Sequence, residues 1–197
     1  MKQWRLDFRV WHWINAVVIL GLLGTVFLRK TFLSWRTNSD LLSQKLAEMN
    51  LEVTTEQAKV LAKTIRAPMW EWHILLGYAL VALLLWRTAL FFTQSGKQNY
   101  QDFKQKSLHK KMVTVGYVGI YAILSFMAVT GLLMHFHEIL GITKELTHSI
   151  KEIHELVFNV VLIFVPLHII GVIVAENRDE KGIVSEMIHG GSEEHKH

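Results

Sequence analysis

Hydrophobic residues in this chain gather in long blocks separated by polar stretches, a layout that belongs to a membrane protein and not to a soluble core. A helix needs about 20 consecutive apolar residues to cross the hydrocarbon layer. Four blocks reach that length, at residues 8–28, 69–92, 112–136 and 153–175. The pattern predicts an all-α integral membrane four-helix bundle, one domain over residues 1–197. The first block follows Lys2, Arg5 and Arg9, as a signal peptide would, but Leu28-Arg29-Lys30-Thr31 offers no small-residue cleavage site. It is therefore expected to stay as a span.

Basic residues set the expected orientation, because short loops rich in Lys and Arg stay cytoplasmic. The segment between spans two and three carries Lys97, Lys104, Lys106, Lys110 and Lys111. The segment between spans three and four has only Lys144 and Lys151, balanced by Glu138, Glu145 and Glu152. The first is expected to be cytoplasmic, and four spans then put both termini there as well. Trp4, Trp11, Trp13 and Trp86 fall at the inner boundary, and Trp35, Trp70 and Trp72 at the outer one, in the manner of an aromatic belt.

The outer loop, residues 30–68, is predicted to hold two short amphipathic helices. Ser39-Asp40 can cap one containing Leu41, Leu42, Leu46 and Met49, and Thr54-x-x-Gln57 is a capping-box pattern ahead of Ala58, Val60, Leu61 and Ile65. The pair reads as a surface cover for the helix ends or as a docking platform for an outer partner. Residues 176–197 form a polar cytoplasmic tail in this reading.

Composition narrows the chemistry. With no cysteine among 197 residues, disulfides, thiolate-bound clusters and covalent C-x-x-C-H haem are excluded. The formal charge is a modest +4, with basic residues at block ends, which points to lipid headgroups and away from nucleic acid. No nucleophile–base constellation and no phosphate-binding glycine loop is present. Eleven histidines, several inside apolar blocks, are the outstanding feature.

An ionisable side chain inside a span is costly and marks function by default. His154 and His168 lie fourteen residues apart on the fourth span, roughly 21 Å along the axis and within roughly 40° of one another around it. One metal ion cannot take both, but two layers of cofactor can. Depth then supplies the partners. His12 near the inner start of span one matches His168, and His73 near the outer start of span two matches His154. Haem suits such pairs better than zinc, which takes three or four protein ligands, because a haem iron needs only two axial ones. Gly77 and Gly171 lie on the ligand faces, while Gly21, Gly24, Gly116, Gly119 and Gly131 offer small surfaces to a macrocycle or to a neighbouring helix.

The segment R-V-W-H-W-I-N-A around His12, the H-x-x-x-G-Y at His73, the two histidines fourteen apart on span four and the ending K-G-I-V-S-E-M-I-H-G together resemble the di-haem cytochrome b family. That family holds the membrane subunits of nickel–iron hydrogenases and formate dehydrogenases and bacterial cytochrome b561. The resemblance covers essentially the whole chain. It implies His12, His73, His154 and His168 as axial ligands of two b haems, a bacterial inner membrane, and quinone as exchange partner. The long outer loop departs from the most compact stand-alone members and is similar to subunits that dock a partner.

Other residues take weighed roles. Arg87, fourteen after His73, lies one layer deeper on the same face, either as counter-charge to an inner-haem propionate or snorkelling to headgroups. His109 beside Lys110 and Lys111 is either an interfacial residue or a quinone contact. His135 and His137 end span three and read as solvated, with an outer-ligand role as the alternative; His148, His189, His195 and His197 also read as solvated, the last two as adventitious metal binders at most. Pro166, two before His168, should bend the fourth span.

With histidine at both axial positions an iron has no open site for oxygen, which favours electron transfer. The expected function is electron passage between an outer-side redox subunit, such as a hydrogenase or dehydrogenase, and the quinone pool. On that reading the chain is an electron-transfer subunit and not a self-contained enzyme. A stand-alone oxidoreductase passing electrons from superoxide or another small reductant to quinone is the second reading, and a histidine-based metal transporter the third. The sequence leaves homo-oligomerisation open.

Overall fold

The computed structural model describes residues 5–92, 108–178 and 181–190, side chains excepted at 91 and 108–113. Trp4, Lys97, Lys104, Lys106, His195 and His197, and the side chains of His109, Lys110 and Lys111, lie outside the described residues. All regular structure described is helical: α1 (Leu6–Lys30), α2 (Trp35–Glu48), α3 (Thr55–Phe92), α4 (Leu108–His135), α5 (Lys144–Asn177) and α6 (Ile183–His189). Helices α1, α3, α4 and α5 are long and apolar enough to cross a membrane and contain the predicted spans, except that α4 stops at His135, one residue short of the third.

Polar residues are buried beside apolar ones, and many large apolar side chains are exposed. Asn15, Thr25 and Thr130 are buried within these helices, while Val17, Leu85, Leu156 and Ile163 are exposed. In water such a surface would be driven together by the hydrophobic effect. In lipid it is the solvated face, and buried small and polar residues join the helices instead.

The chain divides into two compact units. Val17–Ala79 makes one, holding the rest of α1 after its first turns, α2 and the larger part of α3. Here α1 and α3 approach at Gly21, where an added Cβ would stand 2.9 Å from a Leu76 methyl. Trp35 at the start of α2 gathers Arg36, Lys59 and Lys63 around its ring at 4.9, 5.5 and 5.8 Å. Met1–Ala16 with Leu80–His197 makes the other unit. In it α4 packs on α5, and Trp11 of α1 is 2% exposed. The Trp11 Nε1–H donates to the Leu83 carbonyl of α3 at 2.7 Å.

Three boundaries differ from the sequence expectation. The first outer helix starts at Trp35, with Ser34 at the N-cap position, not at Ser39-Asp40. Ser39 is buried inside the helix because its hydroxyl finds an in-helix acceptor, the Arg36 carbonyl at 2.9 Å. The Thr54–Gln57 capping box forms reciprocally, with bonds of 2.8 and 3.2 Å. The helix it starts is no separate surface helix, however. It runs on through Pro68 to Phe92 as 38 residues, roughly 57 Å. A proline lacking its N–H forfeits a single ladder bond there, and no glycine or polar cluster intervenes to complete a stop. The fourth span likewise begins early, at Lys144, with the Thr143 hydroxyl accepting the Leu146 N–H at 3.3 Å, and continues unbroken through Pro166.

Candidate functional site

His12 lies in the second turn of α1 and His168 two-thirds of the way along α5, and the fold brings them together. Their ring centres are 6.3 Å apart, with the planes inclined at 61°. Trp13 stands edge-on to His12 at 5.7 Å, and Phe164, one turn before His168, stacks on it at 5.8 Å. Both imidazoles are half-buried in this aromatic setting.

His73 and His154 are held differently, each in its own compact unit. Nδ1 of His73 lies 2.7 Å from the Thr25 hydroxyl of α1, and Nδ1 of His154 lies 2.7 Å from the Thr130 hydroxyl of α4. Each hydroxyl has a single proton. Thr25 donates its proton to the Leu22 carbonyl at 2.7 Å, and Thr130 to the Phe126 carbonyl at 2.8 Å. With the hydroxyl proton on the backbone carbonyl, each oxygen can accept from an Nδ1–H, the tautomer in which Nε2 is the deprotonated ring nitrogen. The His154 ring also runs beside Gly131, whose added Cβ would meet Cε1 at 3.8 Å. Trp70 stands edge-on to His73 at 5.6 Å.

Arg87 is half-buried and does not simply extend into solvent. Its Nε–H donates to the Tyr121 hydroxyl at 3.2 Å. Its guanidinium sits over the rings of Phe8, Trp11 and Tyr121 at 5.2, 5.7 and 5.4 Å. Each such contact is worth about 0.5–2 kcal/mol depending on desolvation. Trp11 immediately precedes His12, so this cage and the His12–His168 pair belong to one unit. His135, His148 and His189 are exposed, and His137 turns Nδ1 to the Met134 carbonyl at 2.9 Å.

Sequence reasoning missed Thr25, Thr130, Tyr121 and Phe8. The threonines left a faint signal, being hydroxyls inside apolar spans that must find partners there. The aromatic residues left none, because rings in spans are common.

The residues fit a cofactor that takes two imidazoles. His12 and His168 come from two different helices to within 6.3 Å, ring centre to ring centre, and would be the residues to hold such a group. A zinc-type site of three or more ligating side chains does not occur among the described residues.

Four apolar helices with ionisable and hydroxylic residues turned inward define a multi-pass membrane protein. More narrowly, the prokaryotic cytochrome b561 family matches residues 3–190, and the chain belongs to that family. Membership implies b-type haem and transmembrane electron transfer in a prokaryotic membrane. Searches of curated proteins and of solved structures found no match to the chain.

Proposed function

We propose that the chain carries electrons across the bilayer through two b haems, one held by His12 and His168 and the other by His73 and His154, exchanging them with quinone on one side and a soluble redox subunit on the other. When bound, each haem supplies a one-electron carrier. The 6.3 Å spacing of His12 and His168 is the observation that carries the reading. The second pair rests on matching depth along the spans, supported by the threonine contact that each of the two histidines makes through Nδ1.

The chain's own groups divide the work. His12 and His168 bind from α1 and α5. Thr25 and Thr130 keep the hydrogen of His73 and His154 on Nδ1. Arg87, caged beside Trp11, supplies a positive charge to an inner-haem propionate, and His109 contacts the quinone. The helical hairpin of α2 and the first turns of α3, with basic residues around Trp35, meets the soluble subunit on the outer side, both termini being cytoplasmic.

A pyridine haemochrome assay on fully loaded protein should return two haems per chain, and one or none would reject the proposal. Affinity purification from native membranes should bring down a redox-active soluble subunit. Recovery of the chain alone with rapid quinone reduction by superoxide would favour the stand-alone reading.

A further inference from the structure

The seven residues of α6 bury no side chain, and isolated helices shorter than about 12–15 residues are marginal in water. Polar bonds at both of its ends hold this one. At the first end, Glu176 in the last turn of α5 accepts the Gly182 N–H at 2.9 Å and the Val184 N–H at 3.0 Å, one on each carboxylate oxygen. At the other end, Arg9 of α1 donates from Nη2 to the Ile188 carbonyl at 2.6 Å and from Nε to the Met187 carbonyl at 3.3 Å. Trp13 Nε1–H donates to that same Met187 carbonyl at 3.2 Å. Carboxylate at the N-terminus and guanidinium at the C-terminus both complement the helix dipole.

Gly190 completes the arrangement. It ends α6 at φ +89°, its N–H returning to the Glu186 carbonyl at 2.9 Å. A Cβ there would run into the Arg9 guanidinium. Only glycine both adopts this turn and lets Arg9 reach the final carbonyls.

The three side chains that anchor α6 thus lie on the two helices that carry the facing histidines. Arg9 and Trp13 bracket His12 on α1, and Glu176 follows His168 by eight residues on α5. No hydrogen bond to another residue holds either imidazole among the described residues, so the spacing of the pair is left to the spacing of the helices. We propose that α6 is a strap that ties α1 to α5 and thereby sets the His12–His168 separation. Arg9, Trp13, Glu176 and Gly190 are positioning residues, acting through the helices and touching neither ring's ligating nitrogen. The inference rests on the haem reading above for its consequence but not for its geometry.

The test uses full-length protein carrying Gly190→Ala or Glu176→Ala, with Ser185→Ala on the exposed side of α6 as control. The chain has no cysteine, so Val10→Cys with Ile173→Cys places one spin label on each helix at exposed sites. Expected are a broader α1–α5 distance distribution and an altered low-spin signal from the His12–His168 haem alone. Transfer of that haem to apomyoglobin should quicken about tenfold, the scale of an outer-shell loss at a metal site. Arg9→Lys, which keeps a donor but not the fork, should fall between wild type and Arg9→Ala. The strap is overturned if the distance distribution does not change. Its positioning role is overturned if the distribution broadens while the haem signal stays, or if both haem signals change equally. If His12→Ala leaves every haem signal intact, the ligand reading fails, and the label distances still decide whether α6 fixes the helices.

Discussion

His12 and His168 face one another ring to ring at 6.3 Å inside one compact unit. His73 and His154 belong to separate units, and each leans on a threonine of a neighbouring helix at 2.7 Å. The contrast separates two ways of presenting an imidazole. A hydroxyl whose own proton goes to the backbone fixes the tautomer and rotation of one ring, and does so whether or not a second histidine is near. A pair without such hydroxyls depends on how far apart its two helices stand. The first device is local and tolerates helix motion. The second converts any slackening of the bundle into a change at the site. Thr25 and Thr130 thus hold His73 and His154 one ring at a time, while the bonds around Arg9, Trp13 and Glu176 act, in the strap proposed above, through the helices that carry His12 and His168.

Breaking the comparison outright takes the histidines. His12→Ala and His168→Ala should each abolish one haem component in a redox titration, and His73→Ala and His154→Ala each the other. If His12→Ala and His73→Ala removed the same component, the pairing would be wrong. A smaller effect should come from Thr25→Val and Thr130→Val, which keep shape but strip the acceptor from Nδ1. Each should weaken retention of the second haem by about tenfold, leave the His12–His168 haem alone, and be largely restored by serine. Competition with apomyoglobin, followed by difference spectra, reads this directly. Should the two variants weaken different components, His73 and His154 do not share a layer.

Charge gives a gentler probe. A guanidinium cannot shed its proton, and its field favours the reduced iron, which carries one positive charge fewer. Arg87→Gln should therefore lower the midpoint potential of the His12–His168 haem only, by a modest amount because water screens the propionate end. Equal shifts in both haems would count against a propionate contact. The smallest effect belongs to Tyr121→Phe. It removes one charge-assisted hydrogen bond from the Arg87 guanidinium, worth about 1.5–3 kcal/mol, but keeps the ring under the guanidinium. It should trim thermal stability and barely move either potential.

Read alone, the sequence determined the helical class, the four spans and the four spaced histidines. All of these are consequences of local composition: a run of apolar residues must be helical in lipid because no water can take its backbone groups, and a histidine within such a run is conspicuous by cost. The sequence placed Arg87 near the His12 layer but not in a cage of Phe8, Trp11 and Tyr121, since those rings come from two further helices. It read Thr54–Gln57 rightly as a helix start and wrongly as the start of a separate helix, because Pro68 is weak punctuation once the surrounding turns are bonded. Only tertiary structure decided the 6.3 Å approach of His12 to His168, the partnership of each threonine with its histidine, and the bonding of α6 to both α1 and α5. All but the α6–α5 bonds join residues distant along the chain, and their separation depends on how helices pack, which periodicity along one helix does not encode.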